Sequence, residues 1–135
     1  MRRYLLDTAV VAALLHDRPP AVALCTPWLR RRETATSILV YGEVAEYIKG
    51  LSHPVSHLMR LRTLLRGIRP YFLTYAVMEH YADIRRQLRP PHGPGLIGDV
   101  DTLIAATALD RNLTVVTVDT DFQRVPELKV QLISL

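Results

Sequence analysis

Residues 113–118, LTVVTV, constrain this chain more than any other stretch. The run is short, β-branched and largely apolar, without the strict in–out alternation of a half-wet strand. A strand of that kind buries both faces, and strands buried on both faces belong to parallel sheets covered by helices. The remaining sequence supplies matching parts. YLL (4–6), TATSIL (34–39), IRPYFLT (68–74) and VQLIS (130–134) read as further short strands. Between them, residues 8–16, 20–32, 40–50, 53–67, 75–89 and 99–112 read as helices. Pro19 and Pro20 stop the first helix and Gly50 terminates the third. Pro27 is costly in the second unless it lies in a first turn or a break. In the fourth, Val55, Leu58, Leu61, Leu64 and Leu65 fall on one face. The one clear loop is PPHGPGLIG (90–98), and Asp99 is the expected N-cap of the helix that follows it. Strands and helices alternate throughout. The expected fold is therefore α/β, a three-layer α/β/α sandwich with a central, mostly parallel sheet, in one domain over residues 1–135.

The chain carries 17 basic and 13 acidic residues for a net charge of +4, and among the basic ones only Lys49 and Lys129 are lysines. Arginine grips phosphate with a planar fork of donors, so an Arg-rich domain fits a nucleic-acid partner; Arg in place of Lys also follows from a GC-rich genome, and composition alone leaves both open. Cys25 is the only cysteine, which excludes an intrachain disulfide and a Cys-based zinc site. No apolar run approaches the roughly 18 residues of a membrane span. A soluble, cytoplasmic protein without a membrane partner is expected.

Parallel strands bring their C-terminal ends to one edge of the sheet, where such folds place their sites. Asp7 directly follows the first strand and Asp119 follows LTVVTV. Glu43 lies early in the helix after the second strand. Asp99 and Asp101 open the last helix, whose N-terminus faces the same side. Four separate stretches thus deliver a carboxylate to one edge, with Asp121 close behind Asp119. Each acid alone has an ordinary structural explanation as a cap, a first-turn acid or a turn residue; their shared edge is what points to function. Two like charges about 4 Å apart repel by about 4 kcal/mol at an effective dielectric of 20, so such a cluster demands protonation or a cation. Oxygen donors without Cys or His suit a hard cation, Mg²⁺ or Mn²⁺. A cation there would activate a water toward a phosphodiester, and the basic remainder of the surface would hold the rest of the strand.

In order along the chain, YLLDT (4–8), TSILVYGEVAE (36–46), DTLIAATAL (101–109) and VTVDTDF (116–122) resemble the motifs of the PIN domain family, and within it the VapC-type toxin ribonucleases. The resemblance covers essentially the whole chain, and DTLIAATAL is its strongest part. It implies a metal-dependent endoribonuclease in which Asp7, Glu43 and Asp101 bind Mg²⁺ or Mn²⁺ and Asp119 completes or supports the site. It gives Thr117, and with it Thr8, a hydrogen-bonding role within the site. It further implies a homodimer and a small antitoxin protein that blocks the site. The loop before Asp101 is longer and richer in Pro than the family pattern, and Asp99 has no firm family counterpart, leaving it and Asp121 supporting positions at most.

Other constellations carry less. His53 and His57 are four apart, but Pro54 between them marks a helix start and no third ligand follows. No Gly-rich phosphate loop occurs. The competing readings are a PIN-like module that binds RNA or protein without catalysis, which typically lacks a core acid that this chain keeps, and a flavodoxin-like or receiver domain, which needs a late lysine beside the acids where only Lys129 is available.

Overall fold

The computed structural model describes residues 1–135. Five strands, β1 (Tyr4–Leu6), β2 (Thr34–Ser37), β3 (Arg69–Tyr71), β4 (Thr114–Thr117) and β5 (Lys129–Leu132), form one sheet in the order β3-β2-β1-β4-β5. Every pair is parallel, so the sheet is wholly rather than mostly parallel. Six helices connect them: α1 (Thr8–Leu15), α2 (Pro19–Arg30), α3 (Ile38–Lys49), α4 (Pro54–Leu64), α5 (Tyr75–Leu88) and α6 (Asp99–Arg111). A 3₁₀ helix, Thr120–Arg124, follows β4.

The strand order fixes the layers. The chain moves outward from β1 to β2 to β3, then crosses back to build β4 and β5 on the other side of β1. Right-handed crossovers put helices of the outward path on one face and those of the return on the other. α1 to α4 accordingly pack among themselves, and α5 pairs with α6. The direction of winding reverses between β1 and β4, so the crevice at their C-terminal ends is the topological switch point where α/β sheets bind ligands.

Leu5, Leu6, Val115 and Val116 are fully buried at the centre of the sheet, as LTVVTV requires. Cys25 is buried, and burial pushes its thiol up to about 11, so it fills space in the core. Pro27 does lie inside α2, away from the first turn. Its ring leaves the Ala23 carbonyl without the usual helical donor, on a stretch where both residues are exposed to solvent. On the neighbouring turn Thr26 Oγ1 donates to the Val22 carbonyl at 2.6 Å.

Four local expectations are corrected. Ile38 and Leu39 belong to α3, because the buried Ser37 ends β2 and its hydroxyl accepts from the Leu39 amide at 3.1 Å, capping the helix. The third strand is only Arg69–Tyr71, and Phe72 beyond it is exposed. On α4 only Leu61 is fully buried, and Val55 and Met59 are 69% and 65% exposed, so the apolar face of this helix is covered only in part. Asp99 is the first residue of α6 rather than its cap; Gly98 holds the cap position and makes no side-chain cap bond. The loop before α6 is anchored despite its composition. The amides of Gly93 and Gly95 donate to the carbonyls of Arg89 and Leu88 at 3.1 and 2.8 Å, and the backbone of Gln87 and Leu88 comes so close to Gly93 that no Cβ fits.

Candidate active site

Asp7 stands at the C-terminal end of β1 and caps α1. One carboxylate oxygen accepts from the Thr8 amide at 2.8 Å, and the other accepts from the Thr117 hydroxyl at 2.7 Å. Thr117 is the last residue of β4, so this buried bond spans the switch point. Its oxygen also accepts from the Asp119 amide at 3.0 Å, setting the direction in which the chain leaves the strand. Asp119 in turn accepts from the Asp121 amide at 2.9 Å and caps the 3₁₀ helix. From the other side Thr8 Oγ1 donates to Glu43 Oε1 at 2.5 Å, tying α1 to α3. A single chain of polar contacts therefore runs from α3 through α1 and β4 to the 3₁₀ helix.

Asp101 enters from the first turn of α6. Its carboxyl is pushed up to about 6, first by burial and then by the fields of Asp7, Asp119, Glu43 and Asp121. Asp7 is only 7% exposed, and burial raises its pKa above the ordinary carboxylate value while its two hydrogen bonds partly offset the shift. Glu43 and Asp119 act on Asp7 in the same upward direction. None of Asp7, Glu43, Asp101 and Asp119 forms an ion pair with a basic side chain. Asp121 does, with Arg124 at 3.5 Å.

Asp99 is not part of this group. Its carboxylate accepts from Arg85 at 2.8 Å and from the Tyr81 hydroxyl at 3.1 Å, bracing α6 against α5. Helix geometry explains the divergence, because residues two apart on a helix point about 200° away from each other. Lys129 opens β5 at the opposite edge of the sheet, so the arrangement lacks the lysine a receiver domain places beside its acids.

The family model described as PIN domain matches residues 4–128. The chain belongs to the PIN domain family. Among solved structures, this PIN domain is similar to a chain of VapBC2 from Rickettsia felis bound to a promoter DNA fragment, with a TM-score of 0.84 and 22% identity over 97% of this chain and 98% of that one. FitAcB from Neisseria gonorrhoeae matches with a TM-score of 0.75 and 28% identity over 94% and 95%. A toxin-antitoxin complex from Klebsiella pneumoniae matches with a TM-score of 0.74 and 21% identity over 96% and 99%. No curated protein sequence matches. The resemblance to the VapC group thus holds across the whole fold, including the three-layer arrangement.

The donor set of this PIN domain fits a hard divalent cation. It offers carboxylate oxygens, without sulfur or imidazole, at a place where their mutual repulsion is uncompensated by any basic side chain. The side chains do not by themselves surround one point as a closed set of three ligands. Mg²⁺ keeps several waters and takes few protein ligands, so it does not require one. Two buried hydroxyls beside the site escaped the sequence reading. Thr36 Oγ1 donates to the Leu6 carbonyl at 2.7 Å, pinning β2 to β1 next to Asp7, and Ser37 caps the helix that carries Glu43. A Ser directly before a helical apolar run is a recognisable cap signal, but the β-branched Ile38 after Thr34 and Thr36 obscured it.

Proposed function

We propose that this PIN domain is a metal-dependent endoribonuclease that hydrolyses RNA phosphodiester bonds, acting in the cytoplasm as the toxin of a toxin–antitoxin pair. The observation that carries this reading is the convergence, at the switch point, of four carboxylates that no basic side chain neutralises. Asp7, Glu43, Asp101 and Asp119 would hold Mg²⁺ or Mn²⁺. When bound, such an ion polarises a phosphoryl oxygen and lowers the pKa of a water. The chain's own residues prepare the place. Thr117 fixes Asp7 and Asp119 relative to each other, and Thr8 fixes the rotamer of Glu43. Burial and the neighbouring carboxylates push Asp101 up to about 6 and Asp7 above its ordinary value, so these donors hold a proton more tightly than isolated carboxylates do and favour a cation among them.

Membership of the PIN domain family supports a nuclease. The toxin role, a cognate antitoxin that covers the site and a homodimeric state are supported by the fold shared with chains described as VapBC and toxin-antitoxin complexes. RNA as the substrate rests on the family resemblance and on an acidic pit set in an otherwise basic surface.

The test is incubation of the purified protein with total RNA in Mg²⁺, in Mn²⁺ and in EDTA, beside Asp101→Asn. Discrete, metal-dependent fragments that vanish with the variant are expected. Intact RNA in every lane, from folded protein free of any antitoxin, supports instead a PIN module that binds RNA or protein without cutting.

A further inference from the structure

At the edge of the sheet opposite the acids, the N-terminal ends of β1, β4 and β5 and the C-terminal end of α6 enclose a cleft of about 500 Å³. Arg2, Arg3, Arg111 and Lys129 line it, together with Asn112 and Gln131, and no acidic residue does. The two nearby acids do not neutralise it. Glu33 is shared between Arg3 at 3.3 Å and Arg31 at 2.7 Å, and Asp110 lies 3.6 Å from Arg111. Counting Arg31 with the cleft's cations and subtracting both acids still leaves a net excess of positive charge. Arg2 is committed to the fold, donating to the carbonyls of Thr34 and Gly67. Arg111 and Lys129 keep most of their donors free: the guanidinium of Arg111 lies 4.6 Å from the Tyr71 ring centroid, and Lys129 Nζ makes one neutral bond, to Asn112 at 2.9 Å. A cleft with a net excess of positive charge and neutral amide donors has the chemistry of a polyanion site.

Its position relative to the acids identifies the anion. Lys129 pairs with Thr114 and Leu132 with Thr117, so the edge strand β5 leads from the cleft to the residue that holds Asp7. Three residues of strand span about 10 Å. A short length of extended single strand lying along β5 reaches from one to the other. We infer that this cleft is a second, non-catalytic contact for the sugar–phosphate backbone of the RNA substrate, with Arg111 and Lys129 as its phosphate-binding side chains. The inference rests on the ribonuclease reading for the identity of the strand.

The experiment measures binding of a fluorescent single-stranded RNA across a salt series in EDTA, so that no turnover intervenes, for the native protein and for Arg111→Gln/Lys129→Gln. Removing two phosphate contacts on single-stranded RNA flattens the slope of log K against log salt by about 1.4. KM for a long RNA rises several-fold, while kcat at saturation stays native. The charge-preserving Arg111→Lys/Lys129→Arg protein binds as the native one does, which separates charge from packing. A matched single-stranded DNA and inorganic polyphosphate serve as competitors. Displacement by both, as by unlabelled RNA, assigns recognition to the phosphates; displacement by unlabelled RNA alone, or a native slope in the Gln variant, overturns the inference. Binding is read apart from cleavage. A native protein that cuts RNA while the Gln variant binds normally removes this cleft and leaves the nuclease. One that cuts nothing while the variant loses binding removes the nuclease and leaves the cleft.

Discussion

The two edges of the sheet are made by the same five strands and carry opposite chemistry. At the C-terminal edge Asp7, Glu43, Asp101 and Asp119 stand together without a basic partner; at the N-terminal edge Arg2, Arg3, Arg111 and Lys129 stand together, and the acids nearby are too few to balance them. The surrounding hydrogen bonds differ in kind as well. Around the acids they are short and partly buried, from Thr117, Thr8 and backbone amides, and they fix rotamers. Around the cations they run to backbone carbonyls, a shared carboxylate and one neutral amide. The contrast teaches that a parallel sheet separates roles by strand polarity. One edge holds groups whose placement must be accurate to a fraction of an ångström, and the other needs only a sign of charge.

Asp7→Asn breaks the acidic edge most completely. The carboxamide keeps the volume but loses the charge, and it turns an NH₂ toward the hydroxyl or amide that Asp7 now accepts from; RNA cleavage is expected to fall to background while circular dichroism stays native. Thr117→Val is the next largest effect. It leaves a buried carboxylate oxygen without its donor, so a cost of about 1–3 kcal/mol in chemical denaturation is expected. It also frees the orientation of a proposed metal ligand, for which a 10–100-fold loss of activity is typical, read as a rise in the Mn²⁺ concentration needed for half-maximal rate. Full activity in this variant would show that the bond across the switch point is structural only.

The acidic edge also predicts a pH dependence. Asp101 titrates at about 6 in the folded protein against 3.8 for the free group, so between these values the native state binds more protons than the unfolded one. Stability from this group is therefore present at low pH and is lost as pH rises from about 4 to about 6. In EDTA, the Tm of native protein relative to Asp101→Asn should fall across that window and level off above it. Added Mn²⁺ should raise Tm more at pH 7.5 than at pH 5, because protons compete for the same oxygens. A constant difference between the two proteins would mean that neither burial nor the neighbouring acids raise the pKa of Asp101. The smallest effect belongs to Asp99→Asn. Its partner Arg85 and the carboxylate are partly exposed, with 70% of the Asp99 side chain accessible, so the pair contributes less than about 1 kcal/mol. Cleavage within about twofold of native is expected, and a large loss would put Asp99 back into the site.

Much of this was readable before any coordinates. The apolar strands demanded a parallel sheet, strand polarity then sent Asp7 and Asp119 to one edge, and DTLIAATAL placed Asp101 in a first helical turn. What failed to show in the sequence was local and competitive. Ile38 is β-branched and extends the run of Thr34 and Thr36, yet Ser37 caps a helix through it and Leu39 because the helix buries Val40, Val44 and Ile48. Asp99 and Asp101 look equivalent as first-turn acids, and only the packing of α5 on α6, which brings Arg85 and Tyr81 within reach, separates a brace from a site residue. The basic cleft was invisible because Arg3, Arg111 and Lys129 come from three distant segments with no common motif.

By itself the sequence determined the class of fold, the edge on which the acids meet and the family to which the chain belongs, because burial pattern and strand direction are properties of short segments read in order. Which acid is paired and which is left bare, which hydroxyl spans β1 and β4, and that the opposite edge gathers cations around a cleft were decided only by the tertiary structure. Those are distances between segments up to 110 residues apart, as for Asp7 and Thr117, and no local pattern encodes them.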